Sequence, residues 1–347
     1  MKATKFLALA SASLLALTLA ACSPDNGATE EPAGDAVEQV EEAILEAQNV
    51  EKIAFFGFWR TNSFTQAVLQ GVEAAADQLG AEVVDLSPAE YDGVAQINAM
   101  QDQTTRGDAQ VYVLLAIDNI GLETATREAI DAGITVVAAF TPLGSNFDSL
   151  EPSVDGLIVV AETPVSNGRI LAELAIAACE DVDPCNVAYL EGFAVLPLDN
   201  ARTESFKSTL AAEGDRIQLV AQVEGGYDPA TGRSAAQDAL QAANGNIDVM
   251  VGSSQAILGA MSEVDTDSVK LIGNGASTEA FEAVRDGRWF ALYNLDTVGM
   301  GERAVLLGAE QFNGGTPNPV FNIQDLRNPL GTVDVIAEFE PAYSDLG

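Results

Sequence analysis

Two hydrophobic rhythms alternate along most of the chain. Short runs rich in Val, Ile, Leu, Ala and Phe, with few polar interruptions, occupy 52–58, 82–86, 110–116 and 135–140. Strands covered by helices on both faces of a parallel sheet read this way, because neither face meets solvent. Between them, 63–80, 91–106 and 123–132 carry apolar residues at helical spacing, with Val94, Ile97 and Met100 on one face of the second. Gly80, Gly107 and Gly133 stand at the ends of these helices, where a left-handed cap favours glycine. The alternation predicts an open α/β sheet with right-handed crossovers.

A loop-rich stretch, 141–154 (TPLGSNFDSLEPSV), breaks the rhythm and predicts a lobe boundary. The pattern then resumes. Strands are expected at 157–161, 186–190, 217–223, 248–251, 269–272 and 290–293, and helices at 164–179, 201–213, 231–243 and 300–312. The fold class is therefore α/β: two doubly wound parallel-sheet lobes joined by a hinge, with a ligand cleft between them. Loops at the carboxyl ends of the strands of both lobes would line that cleft.

Composition narrows the chemistry. The 347 residues include 52 Asp and Glu against 16 Lys and Arg, a formal net charge of −36, and no His. With no cluster of basic residues, nucleic acid is not an expected partner. The lack of His removes Ser-His-Asp and Cys-His mechanisms and His metal sites. There is no phosphate-binding GxxxxGK[ST], no full GxGxxG after the first strand and no Cys/His cluster. The expectation is a binding protein rather than an enzyme, with neither cofactor nor metal.

The N-terminus gives an address. Lys2 and Lys5 precede an apolar run from Phe6 to Ala21, too short to span a bilayer comfortably, which reads as a secretory signal over 1–21. The run ends in Leu-Ala-Ala-Cys22, which resembles the lipobox of bacterial lipoproteins. That resemblance implies cleavage before Cys22, lipid attachment there, and a place on the extracytoplasmic side of the membrane. Residues 22–50 then read as a tether with a short helix at 36–48. Cys179 and Cys185 flank an acidic loop (CEDVDPC). In an exported protein this suggests a disulfide, with two free thiols as the other reading.

Several segments, in order, resemble the type I periplasmic binding proteins, the ribose-binding-like receptors of ABC importers. They are Asn62-Ser63-Phe64 followed by AAADQLG, Arg106-Gly107-Asp108-Ala109, AIDAGITVV, Ala201-Arg202, Tyr227-Asp228, ILGAM, IGNGAS and AVRDGRWFAL. The resemblance covers roughly 52–320 and implies three hinge crossings near 153, 295 and 321. The N-terminal lobe would then be 51–153 plus 296–321, and the C-terminal lobe 154–295 plus 322–347. It also implies hinged closure on a small solute, a sugar or sugar-like molecule, and delivery to a permease and its ATPase. A sensory receptor subunit for a membrane kinase or chemoreceptor would carry the same pattern, as would a receptor for a nucleoside or amine-type solute.

Carried over by position, the resemblance implies ligand contacts from Trp59, Asn62, Phe64, Phe140, Arg202, Tyr227, Asn274 and either Tyr293 or Asn294. An amide both donates and accepts, an aromatic ring covers the apolar face of a sugar, and a guanidinium offers a fork of donors. Purely structural roles stay open: Phe64 and Tyr227 as core, Asn62 as a helix cap, Arg202 as partner of a surface carboxylate. Two departures matter. Phe140-Thr141 and Ser253-Ser254 stand where the family's sugar binders carry Asp-Arg and Asn-Asp. The ligand should therefore present fewer hydroxyls, or be held more by aromatic contact.

Overall fold

The computed structural model describes residues 49–346. The leader, Cys22, the tether and the helix expected at 36–48 lie outside the described residues. From there the strands are β1 (Lys52–Phe56), β2 (Glu82–Asp85), β3 (Val111–Leu114), β4 (Thr135–Phe140), β5 (Ile158–Ala161), β6 (Cys185–Glu191), β7 (Ile217–Glu224), β8 (Val249–Ser253), β9 (Lys270–Asn274), β10 (Ala291–Tyr293), β11 (Val320–Asn322) and β12 (Leu330–Thr332). The helices are α1 (Ser63–Leu79), α2 (Gly93–Arg106), α3 (Leu122–Asp131), α4 (Pro164–Ala178), α5 (Pro197–Ala211), α6 (Pro229–Ala242), α7 (Ser254–Ala260), α8 (Thr278–Arg285), α9 (Thr297–Phe312) and α10 (Val333–Ile336).

Two six-stranded sheets result, in the orders β11-β5-β4-β3-β1-β2 and β12-β10-β9-β8-β6-β7. Every pairing is parallel except β10 with the edge strand β12. Central strands are buried on both faces: Ile53 to Phe56, Val111 to Leu114 and Val249 to Val251 have almost no exposure. The helices end as their sequences dictate. Asn62 and Asp92 cap α1 and α2 by accepting from Thr65 N and Ala95 N, and Gly80 and Gly107 close them in the left-handed conformation.

The structure departs from the sequence reading in several places. The lobe boundary expected at 153 is misplaced, because β5 pairs with β4 and belongs to the first sheet. The chain crosses after Ala161, into α4, which packs against α5 on the second sheet. The other crossings fall between β10 and α9 and between β11 and β12, so Asn322 also lies in the first sheet. The edge strands β11 and β12, three residues each, were not expected; such strands are too short to show a hydrophobic period. Val94 is two-thirds exposed, and α2 instead buries Gln96, Met100 and Gln103. Finally, α5 starts at Pro197 rather than Ala201, with Pro at the first helical position where its missing N–H costs nothing.

Helix α9 returns to the first lobe and crosses α1 backbone against backbone. A Cβ on Gly71 would sit 2.0 Å from Val298 O, and one on Gly301 2.2 Å from Val68 O. Cys179, just after α4, is disulfide-bonded to Cys185, which opens β6, and both are buried. In the chain-entropy account a six-residue separation contributes about 2 kcal/mol. Replacing both cysteines by serine is expected to lower urea stability by about that amount. Ligand affinity should stay unchanged, because the disulfide lies at the end of β6 away from the cleft.

Candidate functional site

The carboxyl ends of the parallel strands of both sheets face one another across a cavity with about 690 Å³ of free space, its mouth included. From the first lobe come Phe58, Trp59, Asn62 and Phe64 after β1, Tyr91 before α2, and Phe140 at the end of β4. From the second come Leu196, Leu198, Asp199 and Arg202 of the α5 entry, Tyr227 before α6, Ser254 and Gln255 opening α7, and Asn274 and Gly275 ending β9. Leu295 at a crossing and Tyr343 of the C-terminal segment complete the wall.

Seven of the expected ligand residues therefore meet: Trp59, Asn62, Phe64, Phe140, Arg202, Tyr227 and Asn274. Tyr293 and Asn294 do not line the cavity. Tyr293 is buried and donates to Glu162, and Asn294 Nδ2 donates to Asn328 O at 3.1 Å. Both turn into the hinge, and Leu295 takes the cavity position.

The polar side of the cavity is organised by a buried trio. Arg202 Nη1 donates to Asp199 Oδ1 at 2.6 Å and to Tyr227 Oη at 3.0 Å. Tyr227 Oη donates to the same Asp199 oxygen at 2.6 Å, while Asp199 Oδ2 accepts from Phe193 N at 2.9 Å. Asp199 lies in the first turn of α5, where the helix dipole favours an acid, three residues before Arg202. Burial lowers the Arg202 pKa, but the charges and phenols around it outweigh that, and it stays fully protonated. Burial and the Asp199 carboxylate push the Tyr227 hydroxyl well above its ordinary range, so it stays a donor. Arg202 Nε is buried without a partner among the described residues.

Opposite stands an aromatic wall. Phe64 and Phe140 meet edge to face at 4.7 Å between ring centroids, and Phe58 lies 6.1–6.2 Å from each. The chain of rings continues through Tyr91 to Phe193 at 5.6 Å and on to Tyr227 at 5.2 Å. Tyr91 and Phe193 belong to different lobes, so the lobes are closed on each other. Phe140 has φ +72°, a conformation strained for a ring-bearing residue, with a tight turn in which Thr141 N donates to Ala139 O. That turn places the ring over the cavity, where an acidic side chain was the family expectation.

Other expected polar arms are taken up internally. Asn62 Oδ1 caps α1, so the structural role is real alongside the cavity position. Asn274 exchanges two hydrogen bonds with Asn167, at 3.1 and 3.3 Å. Ser254 donates to Asp345 Oδ2 at 2.6 Å and Ser63 to Asp345 Oδ1 at 2.8 Å, so the Asp345 side chain bridges the two lobes.

Sequence reasoning missed Tyr91, Asp199 and Tyr343. Tyr91 was placed inside α2, but Asp92 caps the helix and leaves Tyr91 in the loop. Asp199 was lost with the misplaced start of α5; the Pro197 two residues before it was the available signal. Tyr343 lies in a segment without periodicity, and no signal marked it. Among the described residues no group of His, Cys, Asp and Glu is placed to hold a metal ion.

A family model described as "Periplasmic binding protein domain" matches residues 53–316. No curated protein matches the chain in sequence. Crystal structures share the fold. An ABC transporter periplasmic solute-binding protein from Actinobacillus succinogenes 130z with bound D-allose superposes at TM-score 0.73, 17% identity, over 83% of this chain and 100% of that one. An ABC transporter solute-binding protein from Mycobacterium smegmatis with bound glycerol gives 0.71 at 22% identity, over 85% and 99%. The Caulobacter myo-inositol-binding protein, bound to myo-inositol, gives 0.69 at 18% identity, over 79% and 91%.

Proposed function

The chain belongs to the periplasmic binding protein domain family, and from that premise we propose that it captures a monosaccharide or cyclic polyol between its lobes and hands it to an ABC permease and ATPase. The observation that carries this reading is the buried Arg202 guanidinium, held by Asp199 and Tyr227, lining an interlobe cavity opposite an aromatic wall. A small ring solute has the matching features: an apolar face for the rings and oxygens for the guanidinium. Two of the solutes bound by the structural relatives, D-allose and myo-inositol, belong to the same chemical class, and the third, glycerol, is an acyclic polyol. Closure follows from differential affinity, since a ligand touching both lobes stabilises only the closed form. Phe140 and Ser254 in place of charged arms favour solutes with fewer hydroxyls offered for bidentate contact.

The test is a thermal-shift screen of allose, galactose, arabinose, fucose, myo-inositol and glycerol, with a nucleoside and a quaternary amine as contrasts. A true ligand at a hundred times its Kd stabilises the folded state by about 2.7 kcal/mol and raises Tm accordingly. Trp59 lines the cavity and the second tryptophan, Trp289, is buried in the other lobe's core, so saturation should change the fluorescence of Trp59 alone. A shift with the nucleoside or amine and none with any sugar or polyol would overturn the reading.

The same reading puts the protein outside the cytoplasm, held to the membrane by lipid on Cys22. Cys22→Ser is expected to move the protein from the membrane fraction to the aqueous phase on detergent partitioning. Unchanged partitioning and an unchanged mass would remove the anchor from the proposal.

A further inference from the structure

A carboxylate outside the ligand cavity ties the hinge together. Glu162 follows β5 at the first crossing and is 2% exposed. Its Oε2 accepts from Tyr293 Oη, at the second crossing, and from Gln324 Nε2 at 3.2 Å, at the third. Its Oε1 accepts from Asn167 Nδ2 at 3.0 Å, in the first turns of α4. Gln324 Nε2 also reaches Tyr293 Oη at 3.1 Å and Ser166 Oγ at 3.0 Å. The backbone N of Glu162 donates to Phe140 O at 3.1 Å, the strained cavity residue. Asn167 in turn pairs with Asn274 in the cavity wall. One side chain thus joins all three interlobe crossings and reaches the ligand site through a single amide pair.

We infer that Glu162 is a positioning residue for lobe closure, a buried charge whose ionised form biases the empty receptor towards the open state. The inference rests on the hinged closure proposed above but not on any particular solute. Its physical basis is desolvation. In the closed form the carboxylate is cut off from water, and three neutral donors and the field of Arg202 compensate it only in part. Opening the cleft brings water to Asn274 and Asn167, the two side chains between Glu162 and the cavity, and relaxes that penalty. A ligand closing the lobes works against this bias, so the empty receptor stays available for loading.

Protonation acts with the same sign. Burial, opposed by the bonds from Tyr293, Gln324 and Asn167 and by the charge of Arg202, lifts the Glu162 carboxyl from 4.5 to about 6. The titratable and charged groups that face it are Tyr293 on β10 and Arg202 on α5, the latter paired with Asp199. A group that binds its proton more tightly in the closed state favours that state as pH falls. If the open form restores the ordinary value, the closed-to-open ratio rises by about 16-fold between pH 7.5 and pH 4.5.

The experiment needs no ligand. Val94 and Val195 are exposed on opposite lobes, at the groove outside the cleft mouth. Spin labels at Val94→Cys and Val195→Cys, in the full chain carrying Cys22→Ser, report lobe separation by pulsed electron resonance. Without added solute at pH 7.5, the parent should show a long-distance population that shrinks on acidification to pH 5. Glu162→Gln should show the short distance at both pH values, because it carries no charge to bury. Circular dichroism checks folding; if Glu162→Gln does not fold, the pH series of Asp345→Asn, which lacks the other interlobe carboxylate, decides. A parent distribution that does not move with pH, or moves to longer distance on acidification, overturns the inference. So does a folded Glu162→Gln that matches the parent at pH 7.5. Failure of the sugar screen is a separate result, since no solute enters this measurement.

Discussion

Arg202→Ala is expected to weaken ligand binding about ten- to a hundredfold and to lower stability by about 3–5 kcal/mol. The two effects have different causes. Stability falls because Asp199, 2% exposed, keeps its position and loses the cation that compensates it. The remaining donors, Tyr227 Oη and Phe193 N, are neutral. Binding falls because the cavity loses the guanidinium that lines it and the Nη1 donor that holds Tyr227. A charge-assisted hydrogen bond is worth about 1.5–3 kcal/mol, or about ten- to a hundredfold in Kd. A double variant separates the two. Arg202→Met with Asp199→Leu removes the whole pair and should recover most of the stability in urea denaturation, because an apolar replacement of a buried ion pair is often neutral. It should still titrate as weakly as Arg202→Ala by Trp59 fluorescence. If the double variant instead recovers wild-type affinity, Arg202 serves only to neutralise Asp199 and does not touch the solute.

Gly168→Ala should produce the second largest loss, through packing alone. Gly168 lies on α4, and a Cβ there would come within 2.2 Å of Arg202 O on α5 and 3.0 Å of its carbonyl carbon. Backbone atoms cannot swing aside as a side-chain tip can, so α5 must move away from α4. Overpacking of this kind costs about 1–3 kcal/mol. It also displaces the backbone that carries Asp199 and Arg202, so ligand affinity should fall together with urea stability. Gly308→Ala gives the contrast. Its Cβ would meet the Val111 and Val137 side chains of the first lobe, at 2.6 and 3.1 Å, far from the cavity. It should lower stability while leaving affinity near that of the parent.

Much of the lobe architecture was legible because local burial leaves a local trace. Unbroken apolar runs such as Thr135–Phe140 marked doubly covered strands, and glycines at 80 and 107 marked left-handed helix ends. The cavity residues Asn62, Phe64, Arg202, Tyr227 and Asn274 were found by their places in the family's order of motifs, since strand-end loops in this topology converge on one cleft. Where helix starts were misread, neighbouring site residues were lost with them. Tyr91 and Asp199 each stand one turn or less from a boundary that a cap or a proline sets.

The sequence by itself determined the alternating elements, the parallel α/β class and the exclusion of His-based chemistry, and it suggested the Cys179–Cys185 pairing that the structure makes. Periodicity and composition are properties of neighbours in the chain, and these features follow from neighbours. The tertiary structure alone decided that β5 joins the first sheet, because a strand's sheet is chosen by backbone hydrogen bonds to β4 and β11 and not by its own side chains. It alone decided that Tyr293 turns to Glu162, 131 residues away, instead of to the ligand. It also gave Arg202 a buried carboxylate partner in place of a surface one. A polar side chain's role is set by whichever groups can satisfy it once water is gone, and those groups come from distant parts of the chain.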